Sequence, residues 1–442
     1  MQKTHQHGLR FSSAPVTAWL IPLTYAAVAL IVGFTVPRLA YSILPGYVST
    51  VSVNAAIGIY SAVASGMIAL TGIVFSLTFV MVQFSATAYS PRLVLWIARD
   101  PVMSHSMGVF TATFLYAIAA LAWVDRAGSG RVPLAGTAVV TALLIVSIIM
   151  FIILIQRVGM LQIHRMLTFT ADKGREVIES LYPPFDTPAY QHSAQKAASS
   201  CVQTLVHRGL PSFIQKVDIG ALVELGRKHG YTIELVASVG DAALEDTPIL
   251  RVLGVGGPVP EGKLRSAIKL GGERTFEQDP KYAIRLLVDI AIRALSPAIN
   301  DPTTAVQTLD QIEDLLIRLG RRRLEIGGFC DASGNLRLLI PFPTWDDFLR
   351  LALDEIRFYG ALSIQVMRRM KALVSELISL LPEERQPALR DWQRRLQTTI
   401  ERTFADQLDK LEASDEDRQG LGSGRKKGDS LGTAEPGVMS ST

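Results

Sequence analysis

The chain has 442 residues, enough for several domains, and a formal net charge of +4. Its mean hydropathy is positive, +0.28, and its charged fraction of 19% lies below the roughly 25% of soluble domains, with the apolar excess in the first third. The charge is mild and forms no basic stripe, which excludes nucleic acid as an expected partner; the two cysteines, Cys201 and Cys330, lie far apart with no Cys/His cluster, which excludes a zinc site and a disulfide scaffold.

Residues 1–18 form a polar lead containing Lys3 and Arg10; His5 and His7 are read as tail residues rather than metal ligands. The stretches 19–36, 55–82, 107–124 and 134–155 are long and apolar enough to span a bilayer, and none contains Asp, Glu, Lys, Arg or His. Trp19, Tyr41, Tyr47, Trp96 and Trp123 edge them as interfacial aromatics. Lys3, Arg10, Arg92, Arg99, Arg157, Arg165, Lys173 and Arg175 fall on one side, against Arg38, Arg126 and Arg131 on the other. That excess places both termini in the cytoplasm of a bacterial inner membrane.

The second span carries Gly58, Ala62, Ser65, Ala69, Gly72, Ser76, Phe79 and Gln83 on one continuous helical face. Seven of the eight are small or polar. Ser65, Gly72, Ser76 and Gln83 therefore mark either a pore-lining face or a face for close helix packing. The span runs on to Ser90-Pro91, and Asp100-Pro101 is a helix start, with Asp100 as cap. After the fourth span no breaker appears before Pro183, so residues 156–183 are expected to continue that helix out of the membrane.

Residues 184–257 read as a small α/β module. Strands are expected at 201–207 and 213–217, then a helix over 219–228 capped by Asp218 and ended by Gly230. A strand follows at 231–239, a turn at Gly240-Asp241 and a return strand at 248–253. The glycines at 254, 256 and 257 lack phosphate-loop spacing and read as a turn. Residues 261–270 read as a short helix.

Residues 258–342 contain two helices with Asp-Pro starts, 280–295 capped by Asp279 and 302–319 capped by Asp301, with Ser296-Pro297 between them. Arg285, Asp289 and Arg293, spaced by four, share one face of the first helix among apolar neighbours. They read as a buried ion-pair ladder or as a ligand face, and Asp289 between two arginines suits a structural pair better than a general acid. A hairpin around 331–335 follows. Residues 343–413 read as C-terminal helices, 344–359 with Thr344 and Asp347 as a capping box, then 361–380 and 382–413. Residues 414–442, rich in Gly, Ser and charge, are expected to be disordered.

Together these stretches resemble the bacterial predicted-membrane-protein family known as domain of unknown function 2254. The likeness is carried by the run from Gly72 to Phe79, by Tyr89-Ser-Pro-Arg-Leu93, by Thr113-Phe-Leu-Tyr116, and above all by the stretch from Arg285 to Ala305. The resemblance implies an integral-membrane protein and no particular chemistry.

The expected fold class is an α-helical polytopic membrane protein with four transmembrane helices, occupying 19–155, followed by a mixed α+β cytoplasmic region. No catalytic triad, metal-ligand spacing or nucleotide loop is present, so neither an enzyme nor a cofactor is expected. The expected partners are the lipid bilayer, further copies of the chain in a homo-oligomer, and a cytoplasmic protein. Two functions fit: a channel-like or gated bundle with a regulatory cytoplasmic region, or a membrane-anchored sensor or scaffold.

Overall fold

A computed structural model describes residues 16–43, 51–88, 101–124, 132, 134–158, 163–187 and 200–422. The chain divides into two compact units, Met1–Gln162 and Ile163–Thr442.

The first unit is helical: α1 (Val16–Ile43), α2 (Val53–Ala88), α3 (Pro101–Leu121) and α4 (Leu134–Val158). Three stretches, Val53–Val80, Pro101–Leu121 and Leu134–Gln156, are long and apolar enough to cross a membrane, and α1 holds a shorter apolar stretch, Leu20–Val36. The helix α3 is central; α1, α2 and α4 all pack on it. Ala29, Tyr60, Val63, Met67, Tyr116 and Val140 meet in its core. Small residues set the approach: a Cβ at Gly33 would lie 2.6 Å from that of Ala119, and one at Gly108 would lie 2.8 Å from the Tyr25 ring. Polar bonds tie the helices, Tyr60 to Thr137 at 2.9 Å and Thr113 to Ser147 at 2.8 Å. The outward surface is apolar; Ile73 and Phe79 of α2 and Ile145 and Ile152 of α4 are more than half exposed, as suits lipid and not water.

Helix α3 starts at Pro101, at the expected Asp-Pro start, and its first turns, ahead of the apolar span, carry His105, whose Nδ1 lies 3.2 Å from the Tyr25 hydroxyl. The expected continuation of the fourth span into one long helix falls on residues 159–162, outside the described residues.

The second unit starts with α5 (Ile163–Leu181). Strands β1 (Cys201–Val206) and β2 (Ser212–Val217) precede α6 (Ile219–His229). Next come β3 (Thr232–Leu235), β4 (Ala242–Ala243), β5 (Pro248–Leu253), α7 (Glu261–Ser266) and β6 (Ile268–Gly271). The helices α8 (Pro280–Ala294) and α9 (Pro302–Gly320) lead to β7 (Gly328–Cys330) and β8 (Leu336–Leu339). Last are α10 (Trp345–Tyr359), α11 (Ile364–Leu380), α12 (Gln386–Thr403) and α13 (Gln407–Ser414).

One sheet has the order β1-β5-β3-β8-β7 and the other β4-β2-β6. The sheets are antiparallel except that β3 and β8 pair in parallel, Ile233 opposite Leu338. The separation expected between residues 184–257 and 258–342 is therefore not kept. Strands this short need several neighbours and a shared apolar face to be stable, and Leu205, Ile233, Leu250, Val252 and Leu338 supply one face together. The helical core of the unit is built on α8, where Ile284, Leu286, Leu287, Val288 and Ala291 are fully buried. Each larger aliphatic side chain contributes about 1.5–3 kcal/mol by burial. Helices α5, α9 and α10 cover α8.

Local capping follows the sequence closely. Asp218 accepts from the Ala221 amide, and Gly230, at φ 72°, ends α6 in the left-handed region that glycine adopts without strain. Asp301 accepts from the Thr304 amide. Thr344 and Asp347 form the full capping box.

Four other expectations change. The helix expected over 261–270 stops at Ser266, because the following residues pair with β2 as β6. The strand expected over 231–239 is only β3, since Asp241 accepts from the Ser238 amide and turns the chain early. The single helix expected over 382–413 breaks after Thr403, where Asp406 caps a new one by accepting from Leu408 and Asp409. Residues 415–422, assigned to the disordered tail, instead form turns on α11: Asp417 accepts from the Gln419 and Gly422 amides, and Arg418 pairs with Glu376. Residues 423–442 lie outside the described residues.

Candidate functional site

The first candidate is the small-residue face of α2. Gly58, Ala62, Ser65, Ala69, Gly72, Ser76, Phe79 and Gln83 are all exposed. The opposite face does the packing: Ala56, Tyr60, Val63, Ala64, Met67 and Val74 are buried. Among the described residues, and apart from the helix's own neighbouring backbone, no atom lies within 4 Å of a Cβ built on Gly58 or Gly72. The stripe is turned away from the packed face of α2, a position that suits pore lining or close packing against another chain. Ala69, Gly72 and Ser76 floor a shallow groove of about 540 Å³ rimmed by Ile68, Ile73 and Val80. Thr71, beside it, returns its hydroxyl to the Met67 carbonyl at 2.7 Å, so its polarity is satisfied within the helix.

The second candidate is the block around α8. Arg285 reaches Asp289 at 2.6 Å, as the four-residue spacing predicts. It also holds Glu355 of α10, NH1 to Oε1 at 2.8 Å and NH2 to Oε2 at 3.1 Å. Glu355 was not legible from the α8 spacing, because it comes from a helix 70 residues on. The bond from Glu355, offsetting partial burial, holds Arg285 above the usual guanidinium value. The side chains of Arg285 and Asp289 are 26% and 16% exposed, and Arg293 is likewise half-buried. Arg285 and Asp289 thus form a half-buried ion pair that extends to Glu355, rather than a fully buried ladder.

Asp279 departs from its expected role. It occupies the cap position of α8 with extended backbone but makes no side-chain cap bond. Its Oδ2 accepts from Arg274 Nε at 2.8 Å and NH2 at 2.6 Å. Burial pushes its carboxyl up, with Arg274 opposing, and its Oδ1 has no partner. Gly240, at φ 90°, lets the chain pass against this carboxylate, where a side chain would collide. Arg274 outcompetes the cap because a charge-assisted pair in a buried site is stronger than one amide bond. Asp301 keeps its cap role. Asp100, the third cap, lies outside the described residues.

The arrangement also contains a buried pair that no local spacing revealed. Arg369 of α11, with 3% of its side chain exposed, is held by Glu313 and, at 2.9 Å, by Asp310 of α9. Burial pulls the Arg369 guanidinium down and Glu313 and Asp310 more than offset it, leaving it raised; burial raises the Glu313 carboxyl. Among the described residues no three His, Cys, Asp or Glu side chains gather as a metal site.

The sequence pattern of the family "Predicted membrane protein (DUF2254)" matches residues 16–376. The chain is 29% identical over 366 residues to "Uncharacterized protein Mb1321c" of Mycobacterium bovis, covering 80% of this chain and 70% of that one. The same identity and coverage hold for "Uncharacterized protein Rv1290c" of Mycobacterium tuberculosis. No solved structure matches. With apolar helices in its first unit and the Arg285–Ala305 block inside the matched region, the chain belongs to the DUF2254 family of predicted membrane proteins.

Proposed function

We propose that the protein is a multi-pass inner-membrane protein that assembles as a homo-oligomer through the small-residue face of α2. In this reading that face lines a gated path, four helices enter the bilayer, both termini are cytoplasmic, and Ile163–Thr442 is a regulatory region. The observation that supports it is the exposure of all eight stripe positions, Gly58 to Gln83, while the other face of α2 is packed. Small residues let backbones approach closely in lipid, where apolar burial gives no drive of its own. Ser65, Ser76 and Gln83 are the polar groups such a path would offer.

Disulfide cross-linking in native membranes tests assembly. In a chain with Cys201 and Cys330 replaced by Ser, Ser65→Cys and Ser76→Cys are expected to give cross-linked dimers, and Ile149→Cys on the outer face of α4 none. Cross-linking at α2 no better than at Ile149 would overturn the assembly. Conduction is tested separately in liposomes: Ser76→Leu is expected to change solute flux, and the absence of any flux of ions or small solutes removes the path.

A further inference from the structure

A cleft of about 1040 Å³ opens within the unit Ile163–Thr442, and none of its lining residues belongs to the Arg285–Asp289–Glu355 cluster. Its walls are the first turn of α6, the strand β7, and the segment that follows α5. Leu181, Pro183, Ile219, Val223, Ile326 and Phe329 make it mostly apolar. The strand β7 is the last in its sheet, and its residues Gly328, Phe329 and Cys330 line the cleft. The volume is just above the roughly 300–1000 Å³ of small-molecule sites, which share this pattern of apolar walls with few polar groups.

Three charged side chains line the cleft, Arg323, Glu325 and Asp331. Asp331 is committed: its Oδ2 accepts from Arg337 at 2.7 Å and its Oδ1 from the Ser333 and Asn335 amides at 3.0 Å. Glu325 stands 3.6 Å from Arg385. Arg323 is different. Its NH2 donates to the neutral Phe185 carbonyl at 3.3 Å, and its Nε, closed off from solvent, has no acceptor. Two neighbouring guanidiniums also donate to carbonyls, Arg322 to Tyr182 and Arg385 to Arg322, each at 3.0 Å. Among the described residues, Glu325 is the one carboxylate paired with these three arginines. Among the charged side chains of the lining, Arg323 is the cation, and its hydrogen bond goes to a neutral carbonyl.

We propose that this cleft binds an amphipathic anion, with an apolar body between α6 and β7 and one carboxylate or phosphate against Arg323. An apolar ligand without the charge leaves Arg323 unanswered; a bare anion leaves the apolar walls wet. The ligand class thus needs both parts. It is either a soluble aromatic or aliphatic acid or a single-chain acidic lipid, which share this chemistry.

Cys330 lines the same cleft and reports occupancy. The full chain with Cys201→Ser, in phosphatidylcholine nanodiscs, is alkylated with a maleimide, and the rate at Cys330 is read by mass spectrometry. The soluble acid 4-phenylbutyrate is expected to slow alkylation about fivefold or more, a difference in occupancy a charge-assisted contact supplies. Its neutral twin 4-phenylbutanamide and inorganic phosphate are expected to leave the rate nearly unchanged. Lysophosphatidate forms the second arm; protection by it at lower concentration assigns the source to lipid, and by 4-phenylbutyrate to a soluble acid. Arg323→Gln should remove the protection, and Val223→Trp, which fills the cleft from α6, should remove it without touching the charge. No protection by either acid, equal protection by acid and amide, or protection that survives both substitutions overturns the proposal. The readout involves neither oligomeric state nor conduction, so it stands or falls apart from the α2 assembly.

Discussion

Arg285 of α8 grips Glu355 of α10 with two parallel bonds of 2.8 and 3.1 Å while keeping Asp289 at 2.6 Å. One guanidinium thus joins a within-helix pair to a between-helix pair. Bidentate geometry of this kind fixes orientation as well as contributing energy.

This sharing sets the response to mutation. Asp289→Ala leaves Arg285 with Glu355, and at this degree of exposure the loss should be about 1 kcal/mol. Glu355→Ala leaves it with Asp289 and should cost a similar amount. The double substitution strands a half-buried guanidinium and should cost about 3 kcal/mol, more than the sum. Thermal unfolding of the purified full chain in detergent measures all three; additivity would show that Arg285 does not bridge the two carboxylates.

The Arg369 pair should behave differently, because it is buried. Arg369→Ala leaves Glu313 uncompensated in the interior between α9 and α11 and should cost about 3–5 kcal/mol. Replacing both at once, Arg369→Met with Glu313→Leu, removes the charges together and should recover most of that loss. A double variant as unstable as Arg369→Ala would show that the pair's hydrogen bonds, and not charge imbalance, carry the effect.

Short-range signals read well from the sequence. The Asp218, Asp301 and Thr344 caps, the Gly230 stop and the Arg285–Asp289 spacing each depend on residues within four positions, so one stretch of chain specifies them. Several failures are competitions settled from a distance. Asp279 looks like Asp301 locally but is taken by Arg274, and Gly240 must come from another turn to make room for it. Residues 268–270 look helical until β2 pairs with them. Glu355 and Arg369 meet α8 and α9 only because the helices fold back, which no spacing along one helix encodes. The α2 stripe was visible, but which of its two faces α3 covers was not, because Tyr60 and Met67 compete with the small residues for that contact.

The glycines of the first unit offer a test that separates packing inside the chain from the proposed packing between chains. A methyl at Gly108 meets the Tyr25 ring at 2.8 Å, so Gly108→Ala forces α1 and α3 apart and should cost about 1–3 kcal/mol by overpacking. Gly72 has open space around it. Gly72→Leu should leave the unfolding temperature of the dissociated chain unchanged and weaken association in the cross-linking assay. If Gly72→Leu destabilised the isolated chain as much as Gly108→Ala, the stripe would be packed within the chain after all.

Asp279 should make stability depend on pH in weak acid. Burial raises its carboxyl above the ordinary 3.8, with Arg274 and Lys281 opposing; Tyr182, itself raised by burial, and the Lys281–Asp241 pair at 3.2 Å are the other titratable neighbours. Between the unfolded and folded values the native state holds a proton that the unfolded chain has lost. The stabilisation from that proton is fully present below 3.8 and is lost as pH rises through the folded value. Asp279→Asn cannot titrate, so the unfolding temperature of the native chain relative to this variant should fall as pH is raised from about 4 towards neutrality. Arg274→Gln, which removes the opposing charge, should raise the Asp279 value further and extend the decline to higher pH. A constant offset between native and Asp279→Asn chains across this window would show that Asp279 stays ionised throughout and that its contact with Arg274 outweighs its burial.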